Sequence, residues 1–138
     1  MQLPKKYRDI QRKLQVKKSK TGLGLYTATE IEKDGFVIEY VGELLTLKEA
    51  NKRAGKYLFE TNRDRFIDGT SRKNIARYIN HSCKPNCEPE ITAGRVFIKS
   101  IKRIESGEEL TYDYGEEYVN MYIKPYGCRC ASCMAKKK

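Results

Sequence analysis

Residues 74–87, NIARYINHSCKPNC, are the most distinctive stretch of this chain. They contain its single histidine, His81, together with two of its five cysteines and several asparagines. Side-chain amides both donate and accept hydrogen bonds, so the stretch is suited to hold a polar ligand. The sequence predicts a short helix over residues 74–79 that delivers Asn80 and His81 into a loop.

A second distinctive stretch, GEELTYDYG, covers residues 107–115. Its tyrosines, Tyr112 and Tyr114, are separated by one residue. Alternate side chains of an extended segment lie on the same side, so we expect the two rings to point the same way. A third cluster, CRCASC, occupies residues 128–133.

The composition predicts one domain with an uneven charge distribution. The chain has 138 residues, of which 39% are hydrophobic, and a formal net charge of +10. Basic side chains dominate residues 1–20 and 136–138, whereas residues 105–117 carry six acidic side chains and no basic one. The positive excess favours polyanionic partners, and the acidic region favours a cationic partner.

Cysteine usage and hydropathy argue against several classes of protein. Five cysteines cannot all pair with one another, so a reduced chain with a metal site fits better than a disulfide framework. The first residues lack the apolar segment of a secretory signal, and no apolar run reaches the length of a membrane span. We expect an intracellular protein of the cytoplasm, nucleus or nucleoid without a membrane partner.

Local patterns predict a mostly β domain with few helices. Thr46 and Glu49 form a capping box that should begin a short helix, which Gly55 would end. Gly22 and Gly24 favour a tight turn. Short apolar or alternating runs predict strands or extended chain around residues 14–16, 36–41, 57–59, 65–68, 96–98 and 110–114.

With these motifs in place, the chain resembles the SET-domain protein lysine methyltransferases. The resemblance covers about residues 13–133 and depends on four motifs that occur in the family's order. They are KTGLGLYT (20–27), EYVGE (39–43), NIARYINHSCKPNC (74–87) and GEELTYDYG (107–115).

This resemblance implies a fold and a domain organisation. The family fold consists of several small β-sheets with a knot-like crossing and few short helices. In that crossing, the segment matching Asn80–His81 threads past the one matching residues 110–114. We expect a basic N-terminal arm at residues 1–12, a SET domain at 13–117 and a post-SET cysteine tail at 118–138.

The resemblance also implies an activity and its catalytic residues. Family members transfer a methyl group from S-adenosylmethionine to a lysine ε-amine. Tyr114 matches the catalytic tyrosine, and Tyr57 matches a second tyrosine of the lysine channel. Tyr112 matches a position that holds phenylalanine or tyrosine in the family. A tyrosine there leaves less room for a methylated amine, so we expect mono- or dimethylation.

The cofactor-binding residues follow from the same resemblance. Asn80 suits the amino-acid end of S-adenosylmethionine, and His81 would contact the adenine, largely through its backbone, without an acid–base role. Arg77 is expected to support the loop. The complete set implied for the cofactor is Thr21, Gly22, Leu23, Tyr57, Asn80, His81, Tyr114 and Tyr118.

Four cysteines match the zinc ligands of the family, namely Cys83, Cys128, Cys130 and Cys133. A tetrahedral Zn²⁺ site between distant segments would hold the tail against the domain. The tail spacing here is Cys-x-Cys-x₂-Cys, whereas the family's usual spacing is Cys-x-Cys-x₄-Cys. Cys87 is left over and is expected to be a buried thiol.

The expected substrate is a lysine-containing basic protein or peptide, such as a histone tail. Glu43, Glu60, Asp64 and Asp68 would add to the acidic region that attracts it. Two other readings stay open. The chain could be a SET-like binding module without catalysis, or a small basic zinc-containing protein that binds nucleic acid through its basic ends.

Overall fold

The computed structural model of the chain describes residues 13–19, 22–53, 57–62 and 64–115. Within these ranges the fold is built mainly of short strands in several small sheets, with one α-helix and one 3-10 helix. The prediction of a mostly β fold is therefore confirmed. The described helices are α1 (Leu47–Arg53) and the 3-10 helix Ile75–Tyr78. The strands are β1 (Leu14–Ser19), β2 (Gly22–Thr27), β3 (Phe36–Tyr40), β4 (Glu43–Thr46), β5 (Leu58–Asn62), β6 (Arg65–Asp68), β7 (Asn80–His81), β8 (Cys87–Thr92), β9 (Arg95–Ser100) and β10 (Thr111–Tyr112).

Strands β1 and β2 form an antiparallel hairpin that ends in the pair Ser19–Gly22. The prediction that Gly22 and Gly24 lie together in a turn is wrong, because both belong to β2 and Gly24 pairs with Lys17. Residues 20–21, between the two strands, lie outside the described ranges. Turn geometry therefore does not explain why residue 24 is glycine.

Two three-stranded antiparallel sheets form the centre of the described fold, in the orders β3-β9-β8 and β4-β6-β5. The helix prediction is confirmed, since Thr46 N–H donates to Glu49 Oε1 at 3.1 Å and Glu49 N–H donates to Thr46 Oγ1 at 3.3 Å. These bonds satisfy amide groups at the start of α1 that have no partner within the helix. The predicted stop at Gly55 lies outside the described residues.

The hydrophobic core lies between these sheets and the two segments around β7 and β10. Its fully buried members include Leu25, Ile79, Ile98 and Leu110. The last of these, Leu110, donates its N–H to Leu25 O at 2.8 Å. The core therefore joins the hairpin to both distinctive stretches of the sequence. No helix in the described part of the chain is long and apolar enough to cross a membrane.

Candidate active site

The site is formed where two distant segments pair side by side. Strand β7 pairs in parallel with β10, so that Thr111 lies opposite Asn80 and Tyr112 opposite His81. The prediction that Asn80 and His81 lie in a loop is wrong, because they form a short strand; the predicted preceding helix is present as the 3-10 helix Ile75–Tyr78. This pairing places the amide and imidazole side chains beside the tyrosine segment.

Tyr112 and Tyr114 are neighbours, as their spacing predicted, with ring centroids 4.9 Å apart. The Tyr112 side chain is buried and lies 6.5 Å from the ring of Phe59. The Tyr114 hydroxyl donates to Ile79 O. The phenol group is thus oriented by the residue that immediately precedes β7, and its oxygen can still accept a hydrogen bond.

The imidazole ring of His81 contacts Tyr114. Its Nδ1 accepts the Tyr114 N–H at 3.1 Å, and the two rings lie 5.5 Å apart. Burial lowers the pKa of His81, and the nearby charge of Asp113 opposes that effect. A neutral imidazole that accepts a hydrogen bond at Nδ1 carries its proton on Nε2. The Nε2–H group therefore donates to Cys83 Sγ, which lies 3.4 Å away.

Tyr57 is held by Tyr40 and Arg77. Its carbonyl accepts the Tyr40 hydroxyl at 2.7 Å, and the Arg77 guanidinium lies 4.3 Å from the centroid of its ring. Arg77 also donates to Thr70 O. These contacts agree with the expectation that Arg77 supports the local chain. The ring of Tyr40 lies 5.3 Å from Phe59, which connects this region with Tyr112.

Asn80 binds three parts of the chain through one atom. The two hydrogens of its Nδ2 point to Glu109 Oε2 at 2.8 Å and Leu23 O at 3.0 Å, and Ser19 Oγ lies further from the same nitrogen, at 3.3 Å. Among the other residues implied for a cofactor, Gly22 faces open space, because an added Cβ would meet nothing within 4 Å. Thr21 and Tyr118 lie outside the described residues.

The other asparagines of the distinctive stretch bind the protein's own backbone. Asn74 Oδ1 accepts from Val41 N–H at 3.0 Å. Asn86 Nδ2 donates to Glu109 O at 2.8 Å, while its Oδ1 accepts the Thr111 N–H at 2.9 Å. Both side chains are buried, so only Asn80 among the three is placed to meet a ligand. Sequence reasoning missed the roles of Asn86 and Glu109, since no local pattern marks their partners.

The described cysteines differ in exposure. Cys83 is exposed and Cys87 is buried, and neither forms a disulfide within the described ranges. Burial raises the pKa of the Cys87 thiol to about 12, in agreement with the expectation of a buried thiol, and such a thiol reacts slowly. The other three expected zinc ligands, Cys128, Cys130 and Cys133, lie outside the described residues. Among those that are described, no group of three metal-binding side chains is present.

Two of the acidic residues expected to attract a substrate, Glu43 and Asp68, share one basic partner. Arg53 donates to Glu43 at 2.7 Å and to Asp68 at 2.9 Å. The hydrogen bond from Thr70 and that from Arg53 outweigh desolvation and lower the pKa of Asp68. One guanidinium offsets the charge of one of these two carboxylates, so one negative charge remains in the group. Asp113, which directly precedes Tyr114, is a further exposed carboxylate.

Comparison with known proteins identifies the family. A family model described as the SET domain matches residues 22–115, more than half of the chain. The chain is 40% identical over 128 residues to histone-lysine N-methyltransferase 2D of Homo sapiens, an alignment with 84% of this chain and 2% of that protein. It is 35% identical over 148 residues to histone-lysine N-methyltransferase ASHH3 of Arabidopsis thaliana, with 98% of this chain and 40% of that protein.

A solved structure gives the same result. The structure of ctPRC2 in an autoinhibited conformation bound to S-adenosylmethionine has a TM-score of 0.72 and 34% sequence identity to this chain, and the match covers 78% of this chain and 16% of that one. The chain belongs to the SET-domain family. It spans less than half the length of each of these relatives.

Proposed function

We propose that this chain is an S-adenosylmethionine-dependent protein-lysine N-methyltransferase. The observation that carries the proposal is the pairing of β7 with β10, which brings Asn80 and His81 beside Tyr112 and Tyr114. The two relatives described above, at 35% and 40% identity, are named histone-lysine N-methyltransferases. The similar ctPRC2 structure is described as bound to S-adenosylmethionine.

The residues of the site suit the requirements of this reaction. S-adenosylmethionine, when bound, supplies an electrophilic methyl group. The lysine amine must be neutral to attack it, although its ordinary pKa is about 10.4, so burial among aromatic rings has to disfavour the ammonium form. Tyr112 provides a buried ring. Tyr114, whose hydroxyl proton is donated to Ile79 O, presents its oxygen as an acceptor that can align the amine.

The cofactor is proposed to bind along the start of β2 and β7. Gly22 leaves open space for a ligand, and the Asn80 amide with the Glu109 carboxylate forms a polar group suited to an ammonium ion. We assign Thr21, Gly22, Leu23, Tyr57, Asn80, His81, Tyr114 and Tyr118 to this role. Tyr114, Tyr57 and Tyr112 would form the catalytic channel.

We infer that the product is mainly mono- or dimethyl-lysine. The ring centroids of Tyr112 and Tyr114 lie 4.9 Å apart. The hydroxyl that Tyr112 carries on its ring would take up room that a more methylated amine needs. Tyr112→Phe should therefore shift products toward trimethyl-lysine in mass spectra of a methylated peptide. Wild-type enzyme that already yields mostly trimethyl-lysine would contradict this inference.

The proposed substrate is a lysine-containing segment of a basic protein such as a histone tail. The acidic side chains next to Tyr114 support it, because positive charge near the target lysine would be attracted there. Such a substrate implies that the enzyme acts inside the cell, on chromosomal protein. The proposed organisation has a basic arm at residues 1–12, the SET domain at 13–117 and a post-SET tail at 118–138.

The basic ends are proposed to hold nucleic acid near the substrate. Lys17 and Lys18 on β1 are exposed, and the chain carries a net charge of +10. Deletion of residues 1–10 and 136–138 should weaken binding to duplex DNA and flatten its salt dependence. A truncated chain with unchanged affinity at several salt concentrations would rule out this role.

Zinc is proposed to be bound by Cys83, Cys128, Cys130 and Cys133. The exposed Cys83 thiol beside the site fits a ligand that would hold the tail there, since thiolate is a preferred ligand of structural zinc. Metal analysis of the purified chain should find about one zinc per chain, as a single four-cysteine site requires. Loss of the metal in Cys83→Ser, with Cys87→Ser as the matched control, would support the assignment. Equal zinc content in wild type and Cys83→Ser would contradict it.

The activity is tested by transfer of labelled methyl groups from S-adenosylmethionine to a panel of histones and other basic proteins. We expect a labelled band that disappears with Tyr114→Phe. If the wild type binds the cofactor in calorimetry but labels nothing, the substrate lies outside the panel. If it neither labels protein nor binds the cofactor, the alternative of a non-catalytic SET-like binding module is favoured.

A further inference from the structure

The orientation of the Asn80 amide is determined by its partners. Its nitrogen lies 3.0 Å from Leu23 O and 2.8 Å from Glu109 Oε2. A carbonyl oxygen and a carboxylate oxygen accept hydrogen bonds and cannot donate them. The NH₂ group of Asn80 must therefore face these two atoms, and its Oδ1 is the side of the amide that can accept from a ligand.

The Glu109 carboxylate fits beside Asn80 because residue 24 is glycine. A Cβ at position 24 would lie 2.5 Å from Glu109 Oε2 and 3.2 Å from Asn80 Nδ2. The backbone of Gly24 lies outside the left-handed region, so conformation alone does not demand glycine there. The space that glycine leaves is taken by a side chain of the protein itself.

Glu109 is itself held in place by backbone contacts on both sides. Its carbonyl accepts from Asn86 Nδ2 at 2.8 Å, and Glu109 forms a β-bridge with Tyr26. Burial first, and then the charge of Glu109, raise the pKa of Tyr26. These contacts fix the backbone of Glu109 beside the hairpin, and its carboxylate reaches Asn80 on β7 from there.

We propose that Glu109 is a positioning residue that locks the Asn80 amide, with Oδ1 directed to the ammonium group of the bound cofactor and Gly24 providing the necessary room. This inference rests on the proposed cofactor, S-adenosylmethionine. The negative charge of Glu109 also lies next to the amide that meets the ammonium ion. Glu109 therefore contributes to recognition of the amino-acid end of the cofactor, and not of its adenine.

The test compares two ligands that differ at the amino-acid end. S-adenosylhomocysteine carries the ammonium group, whereas 5′-methylthioadenosine lacks it. Calorimetry with Glu109→Leu should show affinity for S-adenosylhomocysteine reduced about tenfold, the size of one lost charge-assisted hydrogen bond, and affinity for methylthioadenosine unchanged. Glu109→Gln retains an acceptor oxygen and should restore affinity to within about threefold. Glu105→Leu, which removes an exposed carboxylate on the same segment, is the matched control and should bind both ligands as the wild type does.

A double-mutant cycle provides an independent measurement. Gly24→Ala should lower affinity for S-adenosylhomocysteine in the wild-type background but have little further effect in Glu109→Ala, where the crowded carboxylate is absent. Equal losses in both backgrounds, or equal losses for both ligands in Glu109→Leu, would overturn the proposal and leave a merely structural role. A wild-type chain that binds neither S-adenosylmethionine nor S-adenosylhomocysteine would instead overturn the proposed function.

Discussion

Replacement of Asn86 by leucine should destabilise the chain and disturb the site at the same time. Asn86 is 6% exposed, and its amide binds Glu109 O at 2.8 Å and Thr111 N–H at 2.9 Å. Leucine has the same branching at Cγ but can form neither bond. Two partly buried backbone groups would then lack a partner, and each such loss costs about 1–2 kcal/mol. We therefore expect the free energy of unfolding to fall by about 2–4 kcal/mol.

This loss is large enough to measure by urea denaturation. With a slope of about 1–3 kcal/mol per molar urea for small proteins, the midpoint should fall by about 1–2 M. Asn51→Leu, at an exposed position of α1, is the matched control and should change stability by less than about 0.5 kcal/mol. An Asn86→Leu chain whose midpoint matches the wild type would refute the view that Asn86 joins the segments that carry Asn80 and Tyr112.

Three further predictions concern other parts of the fold. Ala93, in the turn between β8 and β9, has a φ of 52°, a conformation in which asparagine is favoured. Ala93→Asn should therefore raise the unfolding temperature, and a decrease would contradict the turn assignment. Ser100 is fully buried and its hydroxyl accepts the Gly35 N–H at 2.8 Å, so Ser100→Ala should cost about 1–3 kcal/mol in a denaturation experiment, and a loss within error would argue against this bond. Only a thiolate reacts readily, and Cys83 is exposed whereas Cys87 is buried. In time-resolved mass spectrometry after metal chelation, Cys83 should therefore be alkylated well before Cys87. Simultaneous alkylation in the folded chain would contradict the burial of Cys87.

The features that sequence alone predicted are those with local causes. The capping box of Thr46 and Glu49 uses atoms of a single turn, and the nearness of Tyr112 and Tyr114 follows from the period of an extended chain. The SET-domain fold itself was predictable only through the motifs of the family, because the apolar pattern indicates strands without indicating how they pair.

The features that sequence missed depend on partners distant in the chain. Strand β8 contains Pro89 between two glutamates, a pattern unlike a buried strand, yet it is tolerated because β8 is at the edge of its sheet. The strand Asn80–His81 exists only through its parallel partner β10. The reason for glycine at position 24 lies in the Glu109 side chain, which no local pattern reveals.

Methylation of a lysine by this chain can be observed by mass spectrometry of basic peptides incubated with S-adenosylmethionine. Each lysine peptide is paired with a twin in which arginine replaces the lysine, and each is treated with wild type and with Tyr114→Phe. We expect a gain of one or two methyl groups on the lysine peptides only, and with the wild-type chain only. Methylation of the arginine twins, or equal methylation by Tyr114→Phe, would contradict it.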